Sequence, residues 1–324
     1  MLAAIYRSTG SSDVLSVEEV EIPTPGAGEV LVRLTVAGVN PTDYKSRAGS
    51  TADLPFDFQV PGQDGAGVVE AVGEGVDAAL RGQRVWVYFA AWQRQWGTAA
   101  QYTVLPAEQA VPLPDGASDE LGASLGIPAL TAHHCLLADG PISGRTVLVA
   151  GGAGAVGHAA IELAKWAGAR VVATVSNDEK AELARTAGAD AVVNYKADDA
   201  VDQVRKAAPD GVDRVVELAL GANLDLDVAV AAPNAIVTSY ANDAGKAPEL
   251  PVRDLMVPNL TLRFMLVYTL PRPALDQAVG DVSRAVADGA LTPLPVHRFP
   301  LAETAAAHDA VEGGAVGKVV IDLP

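Results

Sequence analysis

Thr146-Val147-Leu148-Val149-Ala150, followed by Gly151-Gly152-Ala153-Gly154-Ala155-Val156-Gly157, is the stretch that decides the fold of this chain. A helical run continues to Gly168, and Ala169-Arg170-Val171-Val172-Ala173-Thr174-Val175 comes next. The order is buried strand, glycine-rich turn, helix, second strand. That is the βαβ crossover that binds a dinucleotide. Small residues at 151–154 let the backbone approach a pyrophosphate. Its charge is then met by amides at a helix N-terminus, where the dipole is positive. Gly154, Ala155, Val156 and Gly157 are the expected contacts, and Gly157 also lets the helix pack closely on the sheet. A glycine pattern alone is a weak signal, and a glycine-rich turn without a ligand is the competing reading. The flanking strands fall where a nucleotide site needs them.

Working outward, the first 120 residues read as β-rich. Candidate strands are 2–7, 29–37, 66–72, 84–89 and 99–105, separated by turns such as Pro23-Thr24-Pro25-Gly26. From about Leu125 the period changes. Strands near 146–150, 170–175, 191–193, 213–218 and 235–239 alternate with helices near 155–167, 178–187 and 198–207, which predicts a parallel doubly wound sheet. After Leu260 a strand, an amphipathic helix from Ala274 to Ala287 and a strand from Lys318 to Leu323 break that rhythm. They read as a return to the first domain.

Bulk properties narrow the function. The 324 residues carry a formal net charge of −17, spread along the chain, which argues against nucleic acid or an anionic membrane as partner. No apolar run approaches the about 18 residues that span a bilayer, and Met1 to Arg7 lacks a signal-peptide layout. A cytoplasmic location is expected. The one cysteine, Cys135, allows no internal disulfide and no cysteine-rich zinc cluster. His133, His134 and Cys135 sit side by side on a predicted helix, about 100° apart, and cannot easily share one metal.

The choice of dinucleotide turns on the end of the second strand. An NAD site usually places Asp or Glu there for the ribose hydroxyls. Here the strand ends Thr174-Val175-Ser176-Asn177, with Lys180 in the next helical turn. Ser176 and Lys180 can both donate to a 2′-phosphate, the lysine with charge assistance. Tyr195, after Asn194, can lie beside the adenosine. NADPH is the expected cofactor; a merely solvated Lys180 is the plainer reading, and Asp178 keeps NADH open.

These segments, with Ala37-Gly38-Val39-Asn40-Pro41-Thr42-Asp43, Pro61-Gly62-Gln63-Asp64-Gly65-Ala66-Gly67, Gly97-Thr98-Ala99-Ala100-Gln101-Tyr102, Val215 to Leu224 and Gly317-Lys318-Val319-Val320, resemble the medium-chain dehydrogenase/reductase superfamily. Within it the chain resembles the zinc-free quinone oxidoreductases of the zeta-crystallin type, over essentially its whole length. The resemblance implies an α/β fold: a Rossmann doubly wound parallel sheet, 125–263, inserted in a GroES-like β-rich catalytic domain, 1–124 and 264–324. Zinc-dependent relatives carry Cys at the position of Asn40, His at Gln63 and Cys near Ile127. Amides and an alkyl chain do not hold Zn²⁺, so no metal is expected. Without a Lewis acid, alkoxide chemistry gives way to hydride delivery onto a conjugated acceptor.

The resemblance further implies nicotinamide contacts from Pro41, Thr42, Asp43, Thr131, His134, Ala219, Ser239, Phe264, Met265, Leu266 and Lys318. Asn40 and Tyr44 are the implied catalytic residues, one stabilising negative charge on the substrate oxygen and the other, or water, supplying the proton. The family tends to carry a tyrosine where Lys45 stands; here it is shifted to Tyr44. Tyr88, Trp92 and Trp96 could roof an aromatic substrate. The expected activity is NADPH-dependent reduction of a small-molecule quinone or enone by a homodimer. An enoyl or haloacrylate-type reductase, a zinc-independent alcohol dehydrogenase and a non-catalytic NADPH-binding crystallin-like protein are the alternatives.

Overall fold

The structure, a computed structural model, describes residues 1–50, 54–242 and 247–324. The chain forms two compact units, one of Met1–Ile127 with Pro293–Pro324 and one of Pro128–Thr292.

In chain order, the first unit opens with β1 (Leu2–Ile5), β2 (Ser16–Glu19), β3 (Glu29–Val39), α1 (Pro41–Arg47), β4 (Asp64–Val72), β5 (Arg84–Val87), β6 (Tyr102–Pro106), β7 (Ala110–Pro112) and α2 (Asp119–Gly122). The second unit holds α3 (Leu130–Leu137), β8 (Thr146–Ala150), α4 (Ala155–Trp166), β9 (Arg170–Val175), α5 (Asp178–Thr186), β10 (Ala191–Asn194), α6 (Ala200–Ala207), β11 (Val212–Glu217), α7 (Leu220–Val230), β12 (Ala231–Ser239), α8 (Val252–Met256), β13 (Thr261–Phe264) and α9 (Arg272–Ala287). The chain then returns to the first unit with β14 (Val296–Pro300), α10 (Thr304–Glu312) and β15 (Lys318–Asp322).

The first unit is built on a seven-stranded sheet in the order β14-β15-β3-β4-β5-β7, with β6 paired to β3. β3 is long because its apolar residues meet partners on both edges: it pairs antiparallel with β4, β6 and β15. Ile5, Val39, Val60, Leu301, Val319 and Ile321 meet in one buried cluster, so the returning segment completes the core of the opening one.

The second unit carries a parallel six-stranded sheet, β10-β9-β8-β11-β12-β13. Read from the first strand, β8, this is the doubly wound order 3-2-1-4-5-6. Its core joins Leu148, Val172, Val193, Val204, Val215, Leu224 and Val237. The central strands β8 and β9 are nearly continuous apolar runs, as strands covered on both faces require.

The units divide at Ile127/Pro128 and Thr292/Pro293, not at 124/125 and 263/264. β13 extends the parallel sheet, pairing Ile236 with Thr261 through Ser239 with Phe264. α9 packs on α3, where the buried His133 Nε2 lies 2.8 Å from Asp281 Oδ2. The amphipathic face of α9 is thus satisfied inside the second unit, and the return begins only at Pro293.

Candidate functional site

The functional residues expected in the second unit gather along one edge of its sheet, where the strands end. Gly151 holds a left-handed φ of +68°, turning the chain out of β8. Gly157 packs against that turn: a Cβ there would stand 2.2 Å from the Gly151 carbonyl oxygen. The first bond of the α4 ladder is His158 N–H to Gly154 O, 2.8 Å. The N–H groups of Ala155, Val156 and Gly157 therefore precede the ladder and have no intrahelical acceptor. Gly154 itself has φ −78°, a conformation open to any residue, and an added Cβ would meet only Gly151 O at 3.4 Å. The turn needs glycine at 151 and 157 for its own geometry, and leaves open space at 154.

At the end of β9, Asn177 caps α5, its side-chain oxygen accepting Lys180 N–H at 2.9 Å. Lys180 is thereby fixed in the first turn, half-buried. Tyr195 N–H donates to Val175 O at 3.0 Å, which brings the half-exposed tyrosine beside Ser176. Farther along the edge, Glu217, Ser239 and Phe264 lie in register on β11, β12 and β13. Met265 N–H donates to Ser239 O, and Phe264 is 69% exposed despite its ring. Thr131 is buried on α3; His134 is half-buried there, its imidazole held below its usual pKa by burial and then by Arg263.

Glu217 and Asp227 form a buried carboxyl pair that the sequence patterns did not single out. Glu217 accepts the Ala219 N–H and the Asn223 amide, so it fixes the loop that carries Ala219. Burial raises both pKa values, and the charge of Glu217 raises that of Asp227 further. Both groups are thereby biased toward the protonated form.

In the first unit the expected residues converge at the junction of β3, α1, β4 and β15. Lys318 Nζ donates to Asn40 Oδ1 at 2.8 Å, and Asn40 Nδ2 donates to Asp64 Oδ2 at 2.7 Å. Asn40 N–H donates to Asp43 Oδ2 at 2.7 Å, and Ile127 N–H to Asp64 Oδ1 at 2.9 Å. All four side chains, Asn40, Asp43, Asp64 and Lys318, are buried. The lysine stem crosses Gly38, where a Cβ would stand 3.0 Å from Lys318 Cε. Burial pushes Asp43 up to about 7 and Asp64 up to about 6, against the pull of Lys318, and it lowers Lys318.

Residues 155–284 match the zinc-binding dehydrogenase family, and residues 26–115 match the alcohol dehydrogenase GroES-like domain. The quinone oxidoreductase of Rattus norvegicus is 29% identical over 321 residues, covering 97% of this chain and 95% of its own length. A mycobacterial protein solved in complex with NADPH is 31% identical with a TM-score of 0.87, covering 99% of this chain and 100% of its own. A solved NAD-dependent alcohol dehydrogenase is 30% identical with a TM-score of 0.90, and each chain covers 100% of the other. The chain belongs to the medium-chain dehydrogenase/reductase superfamily, in its quinone oxidoreductase type. The six-stranded sheet is the Rossmann part of this oxidoreductase fold and the seven-stranded unit its GroES-like part.

In this medium-chain reductase the three positions that carry zinc ligands in metal-dependent relatives do come together. Asn40 and Ile127 both bond to Asp64, and Gln63 precedes it. They offer two amides and an alkyl chain, a donor set that does not fit Zn²⁺. Among the described residues no group of three His, Cys, Asp or Glu side chains is placed to hold a metal. Likewise, no described helix is long and apolar enough to cross a membrane.

The structure places the remaining sequence candidates as follows. Asn40 is buried, its amide oxygen accepting from Lys318 and one N–H of its amide donating to Asp64. Lys318, expected at the cofactor, is buried with its ammonium donating to Asn40 Oδ1 and Val39 O. Trp96 packs edge-on against a half-buried Phe58 at 5.4 Å, Tyr88 is buried with its hydroxyl on Glu108 O, and Trp92 lines a cavity of the first unit. Pro41 is exposed, and Thr42 and Tyr44 are half-buried on α1, with Lys45 Nζ 5.9 Å from the Tyr44 ring centre.

Lys318→Met should destabilise the protein by about 3–5 kcal/mol, since it strands two buried carboxyl groups without their cation. Those carboxyls escape by taking up protons at low pH. The gap in melting temperature to the wild type should therefore be small near pH 5 and wide near pH 8. An equal gap at both would show that Lys318 does not neutralise Asp43 and Asp64.

Proposed function

We propose that the protein is an NADPH-dependent reductase that transfers hydride to a quinone or an α,β-unsaturated carbonyl without a metal ion. The observation that carries this reading is the sheet edge of the second unit. Three amides stand free of the helix ladder beside open space at Gly154, and Lys180 and Ser176 occupy the end of β9 where an NAD site would hold an acid. The residues fit a dinucleotide that carries a 2′-phosphate: Ala155, Val156 and Gly157 for the pyrophosphate, Ser176 and Lys180 for the extra phosphate, Tyr195 flanking the adenosine. When bound, such a cofactor supplies the hydride.

The chain's own residues then do the rest. Thr131, His134, Ala219, Ser239, Phe264, Met265 and Leu266 are proposed to orient the nicotinamide. A neutral His134 acts there as a hydrogen-bond partner, not as a cation, given the direction of its shift. The similarity to a mycobacterial protein in complex with NADPH supports the choice of cofactor, and the similarity to quinone oxidoreductases supports the acceptor class. The similarity to an NAD-dependent alcohol dehydrogenase keeps a second reading in view. The amide-and-alkyl set at Asn40, Gln63 and Ile127 counts against it, since nothing there would stabilise an alkoxide. A homodimer in the cytoplasm acting on a small molecule completes the proposal. Oxidation of NADPH with 9,10-phenanthrenequinone, an enone panel and simple alcohols tests it: turnover of alcohols alone would overturn it.

Two substitutions probe the nucleotide site. Lys180→Ala should weaken NADPH about ten- to a hundredfold while leaving NADH nearly unchanged, because a charge-assisted bond is worth about 1.5–3 kcal/mol. Titration of both cofactors by fluorescence reads this, and equal weakening would remove Lys180 from the site. Gly154→Val should leave the melting temperature of the free protein close to wild type, since neither φ nor space forbids a side chain there. The rise that NADPH produces in the wild type should vanish, because a branched side chain fills the approach to the amides.

A further inference from the structure

α7 packs on β11, β12 and α6, and the residues it buries are Leu220, Leu224, Asp227 and Val230. Spacings of three and four residues put these side chains on one stripe of the helix, the stripe that faces the core. Three of them are apolar and the fourth is a carboxylic acid. Asp227 is 1% exposed. Among the described residues, neither of its oxygens receives an N–H or O–H.

The group next to it is Glu217, at the end of β11 and 0% exposed. Asn223 Nδ2 donates to both Glu217 oxygens, at 3.0 and 3.2 Å. Asn223 and Asp227 are four residues apart on α7, so they lie one above the other on the same face. The Asn223 bond therefore brings the Glu217 carboxyl group to the face that carries Asp227. The two acids differ in their supply of donors. Glu217 accepts from the Asn223 amide and from Ala219 N–H, while Asp227 accepts nothing. Two ionised carboxyl groups side by side in a core, with no cation between them, repel and go unsolvated. One of them keeps its proton, and the one without donors is Asp227. Its O–H then has an acceptor in Glu217, which accounts for a polar group inside an apolar stripe.

Glu217 in turn holds a turn that touches the glycine loop. It fixes Ala219 N–H, and Leu218 lies over Gly151, where a Cβ would stand 2.5 Å from Leu218 Cδ2. Tyr240 N–H donates to Glu217 O, and Gly221 N–H to Asn242 Oδ1, so the turn is also tied to the segment after β12. We propose that Asp227 is a positioning residue of the nucleotide site: its carboxyl O–H donates to the Glu217 carboxylate, and this bond sets the turn that carries Leu218 and Ala219 against the glycine loop. The proposal rests on the reading above that this edge takes NADPH. The proton stays on Asp227 throughout.

The charged groups around Asp227 leave it without a counter-ion. β12 carries no titratable residue. On β11, Asp213 is bound to Arg145 and to Thr146 N–H, and Arg214 donates to Asp139 O. On α6, Arg205 donates to Ala229 O, with Asp202 3.9 Å away, and Lys206 is exposed. Asp225, on α7 itself, is exposed as well. Burial raises the Asp227 carboxyl well above the usual carboxylate range, and the charge of Glu217 raises it further.

Two variants test the proposal. Asp227→Asn replaces the O–H by an N–H and cannot ionise; Asp227→Ala removes the donor. Asp227→Ala should weaken NADPH about tenfold or more, as loss of a hydrogen bond to a charged group does, and Asp227→Asn should recover most of that loss. Fluorescence titration with NADPH reads both. The second measurement is stability against pH. An acid raised in the folded state binds its proton there and loses it on unfolding above the unfolded pKa of about 4, so it costs stability as pH rises. The melting temperature of Asp227→Asn should therefore gain on that of the wild type from pH 5 to pH 8, by about 5 °C or more. A constant gap, or one that moves the other way, shows an ionised Asp227 and overturns the proposal. Equal NADPH affinity in Asp227→Ala and the wild type overturns the positioning role even if the proton is where it is placed. Should Asp227→Ala not fold, the pH comparison of Asp227→Asn with the wild type decides. A wild type that NADPH does not stabilise defeats the nucleotide reading instead, and the pH comparison still locates the proton.

Discussion

The contact between Lys318 and Asn40 is the constraint on which the first unit depends. It joins β15, near one end of the sequence, to the junction of β3 and α1, and through Asn40 it reaches Asp64 on β4. Four buried polar side chains are tolerable there only because each is held by another. A single missing member would leave a buried charge uncompensated. The ammonium of Lys318 is the one cation in that cluster among the described side chains, and it acts through Asn40. The same cluster holds two carboxyl groups to one ammonium, and burial raises the pKa of both carboxyls.

The second unit meets a different constraint. Its sheet edge must present bare amides without collapsing. Gly157 closes against Gly151, the Leu218 side chain lies over Gly151, and Glu217 holds the loop that follows.

Much of this was legible in the sequence. The strands at 146–150 and 170–175 are found at those bounds because parallel strands buried on both faces are uninterrupted apolar runs. The glycine turn and the residues at the end of β9 were likewise readable from spacing. α7 was not. Leu224-Asp225-Leu226-Asp227-Val228 alternates as a strand would, yet it is helical, because packing against β11, β12 and α6 overrides the local period. β13 and α9 were assigned to the wrong unit, since a broken βαβ rhythm says nothing about which core an amphipathic helix will cover. The contact between Asn40 and Lys318 was not legible for a related reason: motif spacing names residues, but only the fold shows that Lys318, 278 positions away, donates to the Asn40 amide oxygen.

The returning segment has a bearing on how the chain comes to fold. β15 lies between β14 and β3 in the sheet of the first unit, so that sheet is missing an interior strand until residues 318–322 exist. The second unit, by contrast, is one continuous stretch, 128–292. During synthesis from the N-terminus the Rossmann unit can therefore close while Val36–Val39 of β3 still lack the partner that β15 supplies. The interval before β15 emerges is when that edge stands unpaired, open to another chain.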